Sequence, residues 1–190
     1  MPDRADKRFY MACLDLAGRS CLVVGAGEVG LEKARGVAEC GAQVTVVAPE
    51  AVPGVAELGV EWLPRPYEAS DLDGRFLVVA ATSDSSLNRR VFADAEARGL
   101  LCNVADVSEL CSFILPAVHR EGPIAVAVST GGASPALAQL LRDRIAAQIG
   151  PETARLAQRL EALRPWAKQR YPTYEERRDF FQRLVRGHTA

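Results

Sequence analysis

A short glycine-rich segment constrains the fold of this chain more than any other feature. It has the spacing Gly25-x-Gly27-x-x-Gly30 and directly follows the apolar run SCLVV, which ends at Val24. Helical spacing comes next, with Val29, Ala34, Val37 and Ala38 expected on one buried side, and Gly41 stands where a helix commonly ends. Residues 42–48 have the composition of a second buried strand. A βαβ unit with this loop is typical of dinucleotide-binding folds.

Each glycine has its own task in such a loop. The first allows a tight turn, the second lets the backbone approach a pyrophosphate, and the third lets the helix pack closely on the strand. The helix N-terminus then faces the phosphates. We therefore expect a bound nicotinamide dinucleotide, although a glycine-rich turn without a ligand would have the same spacing.

The residues after the second predicted strand favour NAD over NADP. An acidic residue about 20 positions after the last glycine usually binds the ribose of NAD. Glu50 lies 20 positions after Gly30, just beyond the predicted strand, and no Lys or Arg closely follows it to hold a 2′-phosphate. The alternative is that Glu50 is a solvated loop charge and that the backbone around Pro49 provides the contact.

Strand and helix patterns continue to alternate up to about residue 116. We predict strands over 60–63, 76–81 and 100–104 and a helix over 87–98. This alternation predicts an α/β fold with a Rossmann-like, doubly wound parallel sheet. Thr82 follows the strand over 76–81, where small residues let a cofactor lie across the strand ends. Asn88 is either a site residue or, in the interpretation we favour, a helix-surface residue.

Asp106 follows the strand predicted over 100–104. A carboxylate at the carboxyl end of a strand, near a nicotinamide, is well placed to accept a proton while hydride leaves. The same segment, DVSE over 106–109, also fits a helix-capping pattern. The pattern alone does not decide between a base and a cap.

Beyond residue 116 the pattern changes. Strand-like runs over 112–118 and 123–129 flank the polar turn 119–122, which predicts a hairpin. A glycine loop over 129–135 then leads into a helix with Ser134 as its N-cap and an apolar stripe of Leu137, Leu140, Leu141 and Ile145. The free N–H groups of this loop suit a carboxylate or phosphate, although a flexible lead-in to a capped helix would look the same. Two helices, broken near Pro172, complete the chain.

Charge and composition exclude several classes of protein. The net charge of −1 favours neither nucleic acid nor a membrane as the main partner. Residues 151–190 nevertheless contain nine Lys and Arg against five Asp and Glu, which indicates either solvated helix faces or a positive wall for a polyanionic substrate. Five cysteines without a CxxC spacing, and an N-terminus without an apolar segment, lead us to expect buried thiols in a cytoplasmic protein.

Together these segments resemble the precorrin-2 dehydrogenase/sirohydrochlorin ferrochelatase family, the N-terminal module of siroheme synthases. The resemblance covers nearly the whole chain, and its most specific part is a hairpin followed by STGGxSP, which generic Rossmann proteins lack. It implies a Rossmann domain over 1–116, a dimerisation hairpin and helix over 117–150, and a helical domain over 151–190, without a methyltransferase domain. The motifs that carry it are CLVVGAGEVGLEKARGVAECGAQVTVVAPE, FLVVAATSDSSLNRRV, CNVADVSELCSFILPAVHREGPIAVAVSTGGASPALAQLLR and YEERRDFF.

The resemblance also implies a reaction and a set of site residues. The reaction is the NAD-dependent oxidation of precorrin-2 to sirohydrochlorin by a homodimer, with Asp106 as the base. The implied cofactor contacts are Gly25, Gly27, Glu28, Val29, Gly30, Pro49, Glu50 and Thr82. The implied substrate contacts are Asn103, Arg120, Ser129, Thr130, Gly131, Gly132 and Arg142. Thr130 stands where some relatives have a phosphorylatable serine.

Three further possibilities stay open. Some relatives also insert Fe²⁺ or Co²⁺ into sirohydrochlorin, and the sequence, which has no His/Cys metal motif, does not decide this. A non-catalytic NAD-sensing module would explain the glycine loop but not STGGASP or the basic tail. A dehydrogenase of a small metabolite is the other alternative.

Overall fold

Five parallel strands form the central sheet in the computed structural model, which describes residues 9–187. The chain divides into two units, Met1–Leu115 and Pro116–Ala190. The first unit contains β1 (Ser20–Val24), α1 (Glu28–Ala38), β2 (Gln43–Val47), α2 (Gly54–Glu57), β3 (Glu61–Leu63), β4 (Leu77–Ala80), α3 (Ser85–Ala97) and β5 (Leu101–Val104). The second contains β6 (Ala117–Glu121), β7 (Ile124–Val128), α4 (Pro135–Ala146), α5 (Pro151–Arg170) and α6 (Tyr174–Arg186).

The strand order β3-β2-β1-β4-β5 confirms the predicted Rossmann-like fold. Successive side chains of a strand point to opposite faces, so apolar runs bury both faces of the sheet. On one face Val23, Val46 and Val79 pack with α1 and α2, and on the other Leu22 and Val78 pack with α3. The order reverses between β1 and β4, so their carboxyl ends border the crevice where ligands of such sheets bind.

The predicted buried side of α1 is wrong at one position. Val29 is 42% exposed, whereas Leu31, which the prediction omitted, is 8% exposed and packs in the core with Ala34 and Val37. An α-helix turns by about 100° per residue, which places Val29 nearly opposite Leu31. Val29 therefore faces solvent in the first turn of the helix.

The hairpin in the second unit is shifted relative to its prediction. His119 and Arg120, predicted as turn residues, lie in β6 and pair with Val126 and Ala125 of β7. The turn is at Gly122, whose φ of +56° lies in the left-handed region that favours glycine. The shift shortens the first strand, because β6 begins only at Ala117.

Apolar side chains of α4 are exposed within a single chain. Ser134 caps this helix as predicted, since its hydroxyl accepts a hydrogen bond from the Leu137 N–H at 3.2 Å. The predicted stripe is not buried, however, because Leu137, Leu140 and Ile145 are 46%, 48% and 38% exposed. Ala138 instead is the buried residue of the helix.

The structure tests the expectation of buried thiols and shows whether any helix could span a membrane. All five cysteines are free thiols, and three of them, Cys21, Cys102 and Cys111, are buried. Cys13 is exposed, so the expectation of burial fails there. Among residues 9–187, no helix is both long and apolar enough to cross a membrane.

We predict opposite effects for two alanine substitutions in α1. A Cβ atom at Gly30 would collide with the carbonyl oxygen of Gly25, which is backbone and does not move freely, whereas a Cβ at Gly36 meets no heavy atom within 4 Å. Gly30→Ala is expected to lower the free energy of unfolding by about 2 kcal/mol or more. Gly36→Ala is expected to raise it by about 0.5–1 kcal/mol through helix propensity. Urea denaturation measures both, and equal effects would contradict the packing described here.

Candidate functional site

The glycine loop is held against the end of β4. Gly25 has a φ of +104°, and a Cβ atom there would lie 2.5 Å from the carbonyl oxygen of Ala81 and 3.0 Å from Cγ2 of Thr82. Glycine is therefore required at this position both by conformation and by space. With Gly30 packed on Gly25, the first and third glycines have the structural tasks that the sequence predicted.

The second glycine borders open space. A Cβ at Gly27 would meet no heavy atom of the described chain within 4 Å. Gly27 is also the N-cap of α1 and makes no side-chain capping bond, so no side chain caps the first N–H groups of the helix. Such a helix N-terminus favours an anionic group such as pyrophosphate. Glu28 and Val29, both exposed, are the next residues along the loop.

Other predicted contacts follow neighbouring strands of the same sheet. Pro49 and Glu50 are exposed and follow β2 after Ala48, Thr82 comes after β4, and Asp106 comes after β5. Because all five strands are parallel, these residues lie at the same edge of the sheet. The fold thus places the glycine loop and the candidate base along one edge.

Asn88 was misinterpreted as a surface residue. Its side chain is buried, with the residue 7% exposed, and its Oδ1 accepts hydrogen bonds from the Thr82 hydroxyl at 2.8 Å and the Thr82 N–H at 3.3 Å. Its Nδ2 donates to the Thr82 carbonyl at 2.9 Å. Asn88 therefore fixes the loop after β4 at the point where it touches Gly25. A polar residue on an amphipathic helix gave no sequence signal of this role.

Asp106 has a left-handed backbone and does not cap a helix. Its φ of +60° is positive, which among the described residues occurs at no other non-glycine position. The short 3₁₀ helix that follows, Ser108–Leu110, has Val107 as its N-cap and no side-chain capping bond. The capping alternative is therefore wrong. The Asp106 side chain is exposed at the sheet edge, and such a conformation at a loop position is common at functional sites.

Side chains on both sides of this loop bind it to β5. Asn103, 7% exposed, donates from Nδ2 to the Phe113 carbonyl at 3.0 Å. The Ser112 hydroxyl accepts from the Cys102 N–H at 2.7 Å and donates to the Cys102 carbonyl at 3.2 Å. Asn103, predicted to bind substrate, thus uses its Nδ2 to position the segment that carries Asp106.

The loop before α4 is also internally hydrogen-bonded. The Thr130 hydroxyl accepts from the Ser134 N–H and donates to the Ser134 carbonyl, both at 3.0 Å, and Ser129 Oγ accepts from the Gly131 N–H at 3.1 Å. Gly131 and Gly132 have φ of +65° and +92°, so the tight turn depends on both glycines. The predicted substrate loop therefore has a defined shape within the second unit.

The two predicted arginines of the second unit differ in their surroundings. Arg120 is exposed on β6. Arg142 lies on α4 and pairs with Asp143, with Nη2 at 2.7 Å and Nε at 2.8 Å from Oδ1. In the part of the chain that the structure describes, no group of three or more His, Cys, Asp or Glu residues is arranged to hold a metal ion.

Models of known protein families match three successive parts of the chain. A family model described as putative NAD(P)-binding matches residues 12–117, one described as the central part of a sirohaem biosynthesis protein matches 121–148, and one described as the sirohaem synthase dimerisation region matches 152–190. The solved structure of SirC, a precorrin-2 dehydrogenase, aligns with a TM-score of 0.77 at 25% identity, covering 93% of this chain and 89% of that one.

Curated relatives cover nearly the whole chain. The siroheme synthase of Thioalkalivibrio sulfidiphilus is 45% identical over 183 residues, and that of Chromobacterium violaceum is 42% identical over 186. These alignments include 94% and 96% of this chain but 37% and 40% of the relatives. The chain therefore spans about two fifths of the length of the curated relatives it matches.

The fold and the glycine loop define a nicotinamide-dinucleotide-binding protein of the Rossmann class, which confirms the predicted NAD cofactor. With the two sirohaem-specific matches and the SirC alignment, the chain belongs to the precorrin-2 dehydrogenase/sirohydrochlorin ferrochelatase family. The resemblance inferred from the sequence is thereby confirmed.

We predict that Asn88→Ala destabilises the first unit. The substitution removes three hydrogen bonds and leaves the Thr82 N–H without its partner, which is expected to lower the free energy of unfolding by about 1–3 kcal/mol. Arg89→Ala, at the next and exposed position of α3, is the matched control, with an expected change within about 0.5 kcal/mol. Urea denaturation measures both variants, and similar values for the two would contradict a role for Asn88 in holding the loop.

Proposed function

We propose that this chain oxidises precorrin-2 to sirohydrochlorin, with NAD as the hydride acceptor and Asp106 as the base that accepts the proton. The observation that carries the proposal is the left-handed Asp106 at the carboxyl end of β5, on the sheet edge that also carries the glycine loop. The name of the aligned structure, precorrin-2 dehydrogenase, supports the reaction. Bound NAD supplies an acceptor for the hydride that leaves the macrocycle.

The chain's own residues would bind the cofactor and orient the substrate. Gly25, Gly27, Glu28, Val29 and Gly30 would hold the pyrophosphate at the N-terminus of α1, and Thr82, fixed by Asn88, would border the cofactor where β4 ends. Asn103 would act indirectly, by holding the loop of Asp106. The exposed position of Asp106 leaves its carboxylate accessible to a large substrate.

In the second unit we propose substrate contacts from the loop before α4 and from nearby cations. The loop of Ser129, Thr130, Gly131 and Gly132 would receive substrate carboxylates, with the Gly132 backbone N–H as a donor, because the Gly131 N–H already donates to Ser129 Oγ. Arg120 and Arg142 would supply positive charge. The defined shape of the 129–134 loop supports a binding role, since its hydroxyls already fix the backbone.

We further propose that the working form is a homodimer. The match of residues 152–190 to a sirohaem synthase dimerisation region supports it. The exposed Leu137, Leu140 and Ile145 of α4 add physical support, because a stripe of large apolar side chains at a helix surface is favoured at an interface.

Glu50 supports NAD rather than NADP. Its carboxylate, exposed after β2, would accept hydrogen bonds from the adenosine ribose and would repel a 2′-phosphate. The residues immediately after it, Ala51 to Pro53, carry no positive charge.

Glu50→Ala is predicted to lower the preference for NAD over NADP by about tenfold in kcat/KM, corresponding to about 1.4 kcal/mol, because it removes this repulsion. Glu57→Ala, which removes one exposed carboxylate from α2, is the matched control and is expected to leave the preference unchanged. Steady-state kinetics with both cofactors measures the ratio. An unchanged ratio in Glu50→Ala would mean that the backbone around Pro49, not the carboxylate, selects the cofactor.

Asp106→Asn tests the base. Asparagine tolerates the left-handed backbone, so the substitution removes the basic carboxylate without adding strain. We expect dehydrogenation to fall by about 100-fold or more, because general bases contribute at least that factor, while NAD affinity stays within a few-fold. Incubation with precorrin-2 and NAD, followed through the absorbance of sirohydrochlorin, measures the rate.

The same assay separates the proposal from its alternatives. Retained activity in Asp106→Asn would remove Asp106 as the base. A wild-type chain that binds NAD but does not turn over precorrin-2 would favour an NAD-sensing module, and failure of sirohydrochlorin to compete for binding would favour a dehydrogenase of a small metabolite.

A further inference from the structure

The helices α5 and α6 border a cavity of about 780 Å³ within the second unit. Pockets for organic ligands commonly have volumes of about 300–1,000 Å³, so the cavity is large enough for more than a simple inorganic ion. Among residues 9–187, none of those that line it is acidic. The charged side chains that the described residues contribute to its lining are therefore all cationic.

Five cations line this cavity. Arg164 and Lys168 come from α5, one turn apart on the same helix face, and Arg177, Arg178 and Arg186 come from α6. Like charges this close repel one another unless an anion offsets them. The basic excess of residues 151–190 is thus concentrated in part at one site rather than spread over solvated helix faces.

Two of these cations have partners that hold their orientation. The Arg177 guanidinium donates to the carbonyls of Tyr171 and Pro172, both at 2.7 Å, and Arg178 Nη2 lies 2.8 Å from Oδ1 of Asp179. Arg164 and Lys168, by contrast, are exposed and have no hydrogen-bond or ion-pair partner among residues 9–187. These two side chains are available to an incoming anion.

Aromatic rings supply an apolar part to the same cavity. Tyr174 and Phe181 are among its lining residues, and Tyr174 is 68% exposed. The Phe181 ring centroid lies 5.2 Å from that of Phe180, which also contacts Trp166 and Tyr171, so Phe181 is supported from behind. An exposed ring and a half-buried, supported ring in one cavity favour a ligand with a flat apolar body.

We propose that this cavity binds an organic polycarboxylate with a flat, apolar body, through Arg164 and Lys168 at its carboxylates and Tyr174 and Phe181 at its body. This chemistry is that of the tetrapyrrole in the proposed reaction, and the identification of the ligand rests on that proposed function. The cavity lies in the region that matches a dimerisation model. In this proposal the region has a second role, because its cations bind the carboxylates of substrate or product.

The test compares two charge-reversal variants of the full-length chain. Arg164→Glu combined with Lys168→Glu changes the cavity, and Arg155→Glu combined with Arg159→Glu makes the same charge change on α5 at exposed positions outside it. Sirohydrochlorin is the probe, and its binding is followed through its own fluorescence and absorbance at low and high salt. Circular dichroism and light scattering report fold and oligomeric state.

We expect the cavity variant to weaken sirohydrochlorin binding at least tenfold and the control variant less than twofold. The wild-type affinity is also expected to fall with added salt, as it does for ion pairs near a surface. In the dehydrogenase assay the cavity variant is expected to raise KM for precorrin-2 with kcat and KM for NAD within twofold. Arg164→Gln combined with Lys168→Gln, which removes the charges without reversing them, is expected to give an intermediate loss.

Several outcomes would contradict the proposed binding site. Equal losses in the cavity and control variants would mean that overall charge, not the cavity, attracts the ligand. A change of oligomeric state with unchanged affinity would identify a second copy of the chain as the occupant, and absence of binding by the wild-type chain would remove the site altogether. Because binding is measured without turnover, cavity-dependent binding by a chain that does not oxidise precorrin-2 would retain the site while rejecting the proposed function.

Discussion

The close passage of the Gly25 backbone past Ala81 determines the geometry of the cofactor edge. The Gly25 N–H donates to the Val47 carbonyl at 2.9 Å and the Ala81 N–H donates to the Val24 carbonyl at 2.8 Å, so the ends of β1, β2 and β4 meet there. A side chain at Gly25 would separate them. Since Gly30 packs on Gly25, the same contact fixes the start of α1 and thus the direction in which its N–H groups point.

Buried amide side chains also fix the two loops that follow β4 and β5. A loop at the end of a strand loses its ladder partners, and its backbone polar groups need others. Asn88 supplies them to the loop after β4 and Asn103 to the segment after β5. Both are buried polar residues, and both bind backbone atoms of a loop that carries a proposed site residue. Loops at this edge are therefore held by side chains of the scaffold.

The sequence predicted what depends on local pattern and missed what depends on long-range contacts. The glycine spacing, the apolar strands and the Ser134 cap are local, and the structure has all three. The burial of Asn88 depends on Thr82, a loop residue with no apolar or charged signal. The start of β6 depends on Ser112 and Phe113, which bind β5 instead of extending the hairpin. For α1 the information was present, since helical periodicity places Leu31 rather than Val29 on the buried side.

Asp106 shows how such long-range contacts bear on function. Aspartate and asparagine adopt a left-handed conformation more readily than other residues with a Cβ atom, although glycine does so with less strain. The bonds of Asn103 and Ser112 on either side of the loop, at about 1 kcal/mol each, can offset the strain. The Asp106 side chain caps no helix and is exposed, so its carboxylate is available for the proposed role as a base. The loop contacts hold that carboxylate at the sheet edge where the glycine loop also lies, which is the position that the proposed base requires.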